Sequence, residues 1–410
     1  MINMSLKFRR CTECKMWKKW QLFHATDFQS LMHPCFTFCR ILGIFPYRIN
    51  ASTFETTKQR SILATVIIGI LCIYELGVLC RINIIGTIKF DTIALAFERN
   101  CFFTLSGFIA IVTYILNGSR MHLLQNIMEI SLRLPPDSYR KLSKLIHAKD
   151  IFGFFFLIGQ ATFYRFVLEF NNMDKIFILY MNLIILQMDM LYINCVCVLK
   201  ACFKEINDNL ANLEQVVMND EPHLLRRIYH KQKNPFLLMK LKALRKQHLI
   251  TSDAVQMLNT IFSPQLLATI VITFSELTFL LYFYIFHWKI DTKNVNHKLL
   301  DWLLLTSLMY QCIKIALMGW ACDTGKDEAM RIGTTVHEIL NDTIDEQIKD
   351  ELQLFSLQVL QRENTFSAKG LIVDATLLVG IVSNITTYLL ILIQFLITDQ
   401  VCNKITNNIT

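Results

Sequence analysis

Near its C-terminus the chain sets a row of neutral polar side chains into an otherwise apolar stretch, 371–398. With Thr387 as zero and about 100° per residue, Ser383 falls at about −40°, Asn384 at 60°, Gln394 at −20° and Thr398 at 20°. Ile391 interrupts them at about 40°, and Phe395 stands at the edge near 80°. Most of the remainder is Leu, Ile, Val and Phe. In lipid such a ridge must face protein or water, because hydrocarbon pairs with none of its groups. Two chemistries fit. Ser, Thr, Asn and Gln can hydrogen-bond helix to helix as glue. They can also line an aqueous path over which ions pass without being trapped.

The second set of residues able to do chemistry is ionisable groups inside apolar stretches: Glu75, Glu98, Arg99, Arg165, Glu169, Asp189, Glu276, Asp301, Lys314 and Asp374. Each asks for a partner or a cavity. Aromatic and amide side chains accompany them, and Gln160, Tyr164, Gln187, Asp301, Trp302 and Tyr310 are the candidate ligand contacts. Ring faces cover apolar C–H surface and amides pair hydroxyls, which suits a sugar or another polar small molecule. Against this, Trp302 sits at a span end, where an aromatic belt is expected. Arg165 and Glu169 are one turn apart and can simply pair.

The elements that hold these residues follow from composition. Of 410 residues, 53% are hydrophobic, with only 13 Gly and 7 Pro, and mean hydropathy is +0.38. This excess predicts an all-α polytopic membrane protein. Seven stretches reach the roughly 20 residues a bilayer demands: 61–80, 93–116, 151–170, 176–199, 266–288, 299–320 and 371–397. The run 31–47, broken by Pro34, Arg40 and Pro46, reads as interfacial or re-entrant. A basic, aromatic segment precedes the first span, so no cleaved leader is expected. Segments at 200–262 and 326–366 carry apolar residues at three-and-four spacing, as if span helices continued beyond the membrane. Val217, Met330 and Ile344 belong to that pattern.

Of the 41 Lys and Arg, 31 fall in the N-terminus and in alternate loops, and 7 fall on the other side. The basic side is cytoplasmic by the positive-inside rule. The N-terminus is therefore inside and, with seven spans, the C-terminus outside, opposite to a G-protein-coupled receptor. The distribution also turns the +8 net charge away from nucleic acid. The 13 cysteines lie largely within apolar runs. Cys11 and Cys14 lack a second half for a zinc site, so no metal and no cofactor is expected. No catalytic constellation is present.

Thr387-Tyr388, five apolar residues Leu389–Ile393 and Gln394-Phe395 resemble the TYhhhhhQF signature of the insect gustatory receptor family. Gly370-Leu371, Asp374, Thr376, Leu377 and Leu378 resemble the approach to it. The resemblance implies a plasma-membrane, ligand-gated, non-selective cation channel of four identical subunits, mixed with related subunits in some assemblies. The last helix of each subunit would line the pore. Gln394 and Phe395 would form the gate, and Thr387 and Tyr388 would belong to the pore helix and its packing. A small tastant, a sugar or a bitter compound, would bind within the other helices. The division expected is a cytoplasmic N-terminus at 1–60 and a ligand-binding bundle at 61–320 with its cytoplasmic loop 200–265. An anchor at 321–370, a pore helix at 371–397 and an extracellular tail at 398–410 complete it. A secondary transporter, or an odorant-type subunit needing a co-receptor, are the alternatives. Asp189 and Lys314 near midplane favour the former.

Overall fold

The computed structural model describes residues 22–45, 47–50, 53–56, 58–86, 93–167, 171–219, 235–288, 295–343 and 345–409. The Cys11–Cys14 pair, Glu169 and Ile344 lie outside them, as do the side chains of Tyr164, Arg165 and Val217.

Helix α1 (Phe28–Ile41) starts where the Asp27 carboxylate accepts from the Ser30 amide at 2.7 Å, while the Ser30 hydroxyl accepts from the Asp27 amide at 3.2 Å. This reciprocal cap satisfies two otherwise orphaned donors. Pro34 sits inside the helix without ending it. One face, including Leu31, Met32, Cys35 and Phe36, is buried against the bundle, chiefly against the helices Pro136–Val167 and Asn172–Asn219. The segment expected at the interface is thus a docked helix. A hairpin of β1 (Tyr47–Asn50) and β2 (Thr53–Thr56) follows.

The body is helical: α2 (Lys58–Cys80), α3 (Ile93–Ile115), α4 (Asn117–Ser131), α5 (Pro136–Val167), α6 (Asn172–Asn219), α7 (Pro235–Trp288) and α8 (Val295–Asp342). Six helices among the described residues are long and apolar enough to cross a membrane, the last of them at Ala375–Phe395. The seventh stretch expected, 151–170, is helical to Val167 as the second half of α5. Helices α6 and α8 have 48 residues each and α7 has 54. At 1.5 Å per residue, 48 residues span roughly 72 Å, more than twice a hydrocarbon core of about 30 Å. The long helices therefore continue together past the membrane, as the apolar spacing predicts. Phe203, Ile206 and Leu210 of α6 pack there with Val336 and Ile339 of α8, all buried. They meet α9 (Glu346–Gln361), whose Ile348, Leu352 and Phe355 are buried as well. Met330, expected on that seam, is instead exposed: six residues before Val336, it lies about 120° round the helix from it.

The chain then makes a hairpin of β3 (Ser367–Ala368) and β4 (Leu371–Ile372). Its turn has Gly370 at φ +89°, a conformation that suits the missing Cβ. The last helix, α10, runs from Ala375 to Ile409, not from 371 to 397. Asp374 sets the start by accepting from the amides of Thr376 and Leu377 at 3.0 and 3.2 Å. It thus caps the helix rather than lying within a span. No Gly or Pro interrupts the 398–409 stretch, so the helix continues through the expected tail.

Candidate functional site

Two places collect the polar groups of the bundle. The first is a cavity of about 350 Å³ between α3, α5, α6, α7 and α8. Helix α3 contributes Glu98 and Arg99, joined at 3.1 Å. Gln160 of α5 donates to the Ser307 hydroxyl of α8. Further along α8, Gln311 donates to the Glu276 carboxylate of α7. Tyr310 closes another part of the wall, its ring stacked on Phe156 at 5.9 Å and 9°. Helix α6 presents Asn172, Lys175, Leu179 and Asn182. These positions are three, four and three residues apart, so one helical face turns inward.

Of the candidate ligand contacts, Gln160 and Tyr310 line this cavity. Gln187 instead donates to the Cys35 carbonyl at 3.1 Å, tying α6 to α1. Trp302 is 65% exposed, and neither it nor Asp301 lines the wall. The lining by Asn172, Lys175, Asn182 and Ser307 was not anticipated. The one local signal for it was the polar spacing along α6.

Behind Tyr310 lies a dry ion pair. Lys314 stands 4.0 Å from Asp189 and 5.8 Å from the centre of the Tyr310 ring, and Asp189 also accepts from Thr269 at 3.1 Å. Glu75 is buried between α2 and α3, where the Ser106 hydroxyl lies 3.4 Å away and the bare Gly107 backbone makes room for the carboxylate. Among the described residues no group of three His, Cys, Asp or Glu could hold a metal ion.

The second place is α10. It touches the protomer mainly through α7 and α8, and among the described side chains of its membrane stretch only Ile381 and Ile385 are buried. On the wheel used above these fall at about 120° and 160°, so the covered strip centres some 130° from the polar ridge. Ser383, Asn384, Thr387, Ile391, Gln394 and Thr398 are all exposed on the protomer surface, as is Phe395. Tyr388 is half exposed and meets Phe274 of α7 edge-on at 5.8 Å. The hydroxyls of Thr387 and Thr398 donate to carbonyls four residues back, Ser383 at 3.2 Å and Gln394 at 2.9 Å. Asn384 spends one amide proton the same way, on Gly380 at 2.8 Å. Among the described residues no such bond covers the Gln394 side-chain amide, only its backbone carbonyl. The amides, more than the hydroxyls, therefore need water or a neighbouring chain.

The family model described as "7tm Chemosensory receptor" matches residues 32–399. The chain belongs to that family. It is a family of receptors, not of enzymes. Two relatives from Drosophila melanogaster are similar to the receptor over shorter stretches. Putative gustatory receptor 28b is 31% identical over 153 residues, covering 36% of this chain and 32% of that one. Putative gustatory receptor 28a is 30% identical over 179 residues, covering 41% and 39%. The matched stretches thus span about a third of the relatives' own lengths. The fold is that of the insect olfactory receptor OR5 from Machilis hrabei, with TM-score 0.66 at 12% identity over 90% of this chain and 98% of that one. The structure of OR5 in complex with eugenol matches with TM-score 0.65 at 13% identity and the same coverage.

Proposed function

We propose that the receptor is a ligand-gated, non-selective cation channel of the plasma membrane, opened by a small tastant in the five-helix cavity. Four copies of α10 line the pore. The reading is carried by one observation: the amide-bearing ridge of α10 points away from its own protomer, with no partner for the Gln394 side chain among the described residues. Left in lipid, such groups would each cost several kcal/mol. Around a shared axis they face water instead. Phe395, about 80° from the ridge line, reaches the constriction when α10 turns slightly, so the closed gate is an apolar ring and the open one a ring of Gln394. The excess of Lys and Arg puts the N-terminus and the long helical extensions in the cytosol and the C-terminus outside. The same extensions suit assembly of subunits, identical or related. That a receptor of the same fold holds eugenol supports a small-molecule occupant for the cavity.

Single cysteines test the pore. With the chain expressed alone, a cationic thiol reagent blocks current through Asn384→Cys and Gln394→Cys. It spares Val382→Cys, which lies about 140° from the ridge centre line. Block at Val382 with none on the ridge would overturn the assignment. A secondary carrier is the second reading, favoured by the buried Asp189–Lys314 pair. Ligand-evoked current in excised patches, with no coupled solute flux, separates channel from carrier.

A further inference from the structure

We propose that the occupant of the five-helix cavity is an organic amine carried as its ammonium, with Glu276 as counter-charge; this rests on the reading of that cavity as the gating-ligand site. The cavity presents four ionisable side chains, Glu98, Arg99, Lys175 and Glu276. Glu98 and Arg99 neutralise one another at 3.1 Å. Glu276 is different. Its hydrogen bond comes from the Gln311 amide, a neutral donor, and among the described residues no cation lies within ion-pair distance of it. Lys314, one turn along α8 from Gln311, pairs with Asp189, and it and Arg99 act on Glu276 only from beyond ion-pair distance. The Glu276 side chain is only partly covered, and what it opens onto is the cavity. A carboxylate withdrawn from water without a positive partner is among the costliest groups a membrane bundle can hold.

A second observation points to the same occupant. Gln311 gives its amide protons toward Glu276, and its own carbonyl oxygen is left buried without a hydrogen-bond partner. Two acceptors thus sit side by side, the Glu276 carboxylate with only a neutral amide donor and the Gln311 carbonyl with none. An ammonium carries several N–H donors and a positive charge, which satisfies both. The neighbouring wall is Phe102, Leu157, Leu280 and the Tyr310 ring, which covers an apolar or aromatic body and adds a ring face to a cation. A neutral polyol leaves the Glu276 charge unmatched. An anion meets it head-on.

The test uses a matched pair on the full chain, 2-phenylethylamine and 2-phenylethanol, read by melting temperature of the purified protein and by current in cells. The amine should act at concentrations at least about tenfold lower than the alcohol, the discrimination expected of a charge-assisted bond. Glu276→Gln should level the two, Glu276→Asp should keep the preference, and Gln311→Leu should weaken the amine several-fold without moving the alcohol. The proposal is overturned if the alcohol is as good as the amine, if neither binds folded protein, or if the preference survives Glu276→Gln. Should Glu276→Gln not fold, the wild-type preference and the Gln311→Leu shift decide. Amine-selective melting shifts with no current would sink the channel reading and keep the cation site. Current evoked only by neutral compounds would do the reverse.

Discussion

Removing one member of the Asp189–Lys314 pair should destabilise the receptor severely, while removing both should not. Asp189 is 0% and Lys314 4% exposed, and their charged atoms are 4.0 Å apart. At an effective dielectric of about 20 that separation gives an attraction of about 4 kcal/mol. The cost of drying both ions cancels most of it, so the pair as a whole is close to neutral against an apolar pair of similar volume. Asp189→Leu breaks that balance. Lys314 then keeps the Tyr310 ring 5.8 Å away and the more distant Glu276 carboxylate, and breaking a buried pair costs about 3–5 kcal/mol. Lys314→Met strands Asp189 with neutral partners alone, Thr269 and Gln265. The double variant should lie within about 1 kcal/mol of wild type, a coupling large enough to read in a double-mutant cycle. Melting of detergent-purified protein and surface expression supply the four corners. Strictly additive effects would refute the reasoning, because they would mean the two charges do not sense each other. The cycle also bears on function. A well-folded double variant that retains ligand-evoked current makes the pair a strut between α6 and α8; one that folds but no longer moves ions revives the carrier reading.

Three shorter predictions concern the gate, a helix contact and a histidine. Phe395→Ala should raise unliganded current by removing the apolar ring, and unchanged basal current with normal surface expression would count against the rotating gate. Gly107→Ala should lower stability by about 1–3 kcal/mol, since the new Cβ would overlap the Glu75 carboxylate; Glu75→Ala in the same chain should restore the loss, and melting curves of the three variants check it. His147 is buried, receives the Phe23 amide on Nδ1 at 3.1 Å and faces the Leu31 carbonyl with Nε2 at 2.9 Å. Burial holds its pKa below the ordinary imidazole value, the Leu31 bond opposing. The unfolded chain therefore binds more protons between the folded value and about 6.5. Stability is full above that range and falls as pH drops through it, so melting temperature should decline below about pH 6.5 and His147→Asn should flatten the decline.

The membrane helices were legible because lipid leaves a chain few ways to satisfy its backbone, so apolar runs of sufficient length translate almost directly into α2, α3, α6, α7, α8 and α10. Their continuation beyond the bilayer was legible from the spacing of Phe203, Ile206 and Leu210 for the same local reason. The start of α10 was not, because hydropathy does not see a cap: Leu371 and Ile372 are as apolar as any span residue, and Asp374 alone moves the first helical turn to Ala375. The cavity exposes the limit of local reading more sharply. Gln160, Tyr310, Glu276 and Gln311 come from three helices, and no periodicity within one helix reports which faces of the others converge on it. Once one helix is oriented, however, the rest follows. Lys175 on the cavity wall fixes Asn182, seven residues on, about 20° away on the same face, and sends Gln187, about 120° round the helix from Lys175, toward α1. Polar residues of equal promise in the sequence thus divide by helix phase. Those on the inward face of α6 meet Glu276 and Gln311 across the cavity, and those off it are consumed in joining helices. Phase sorts α10 in the same way: its apolar strip, carrying Ile381 and Ile385, grips the protomer, so its polar ridge has to be satisfied from outside that protomer.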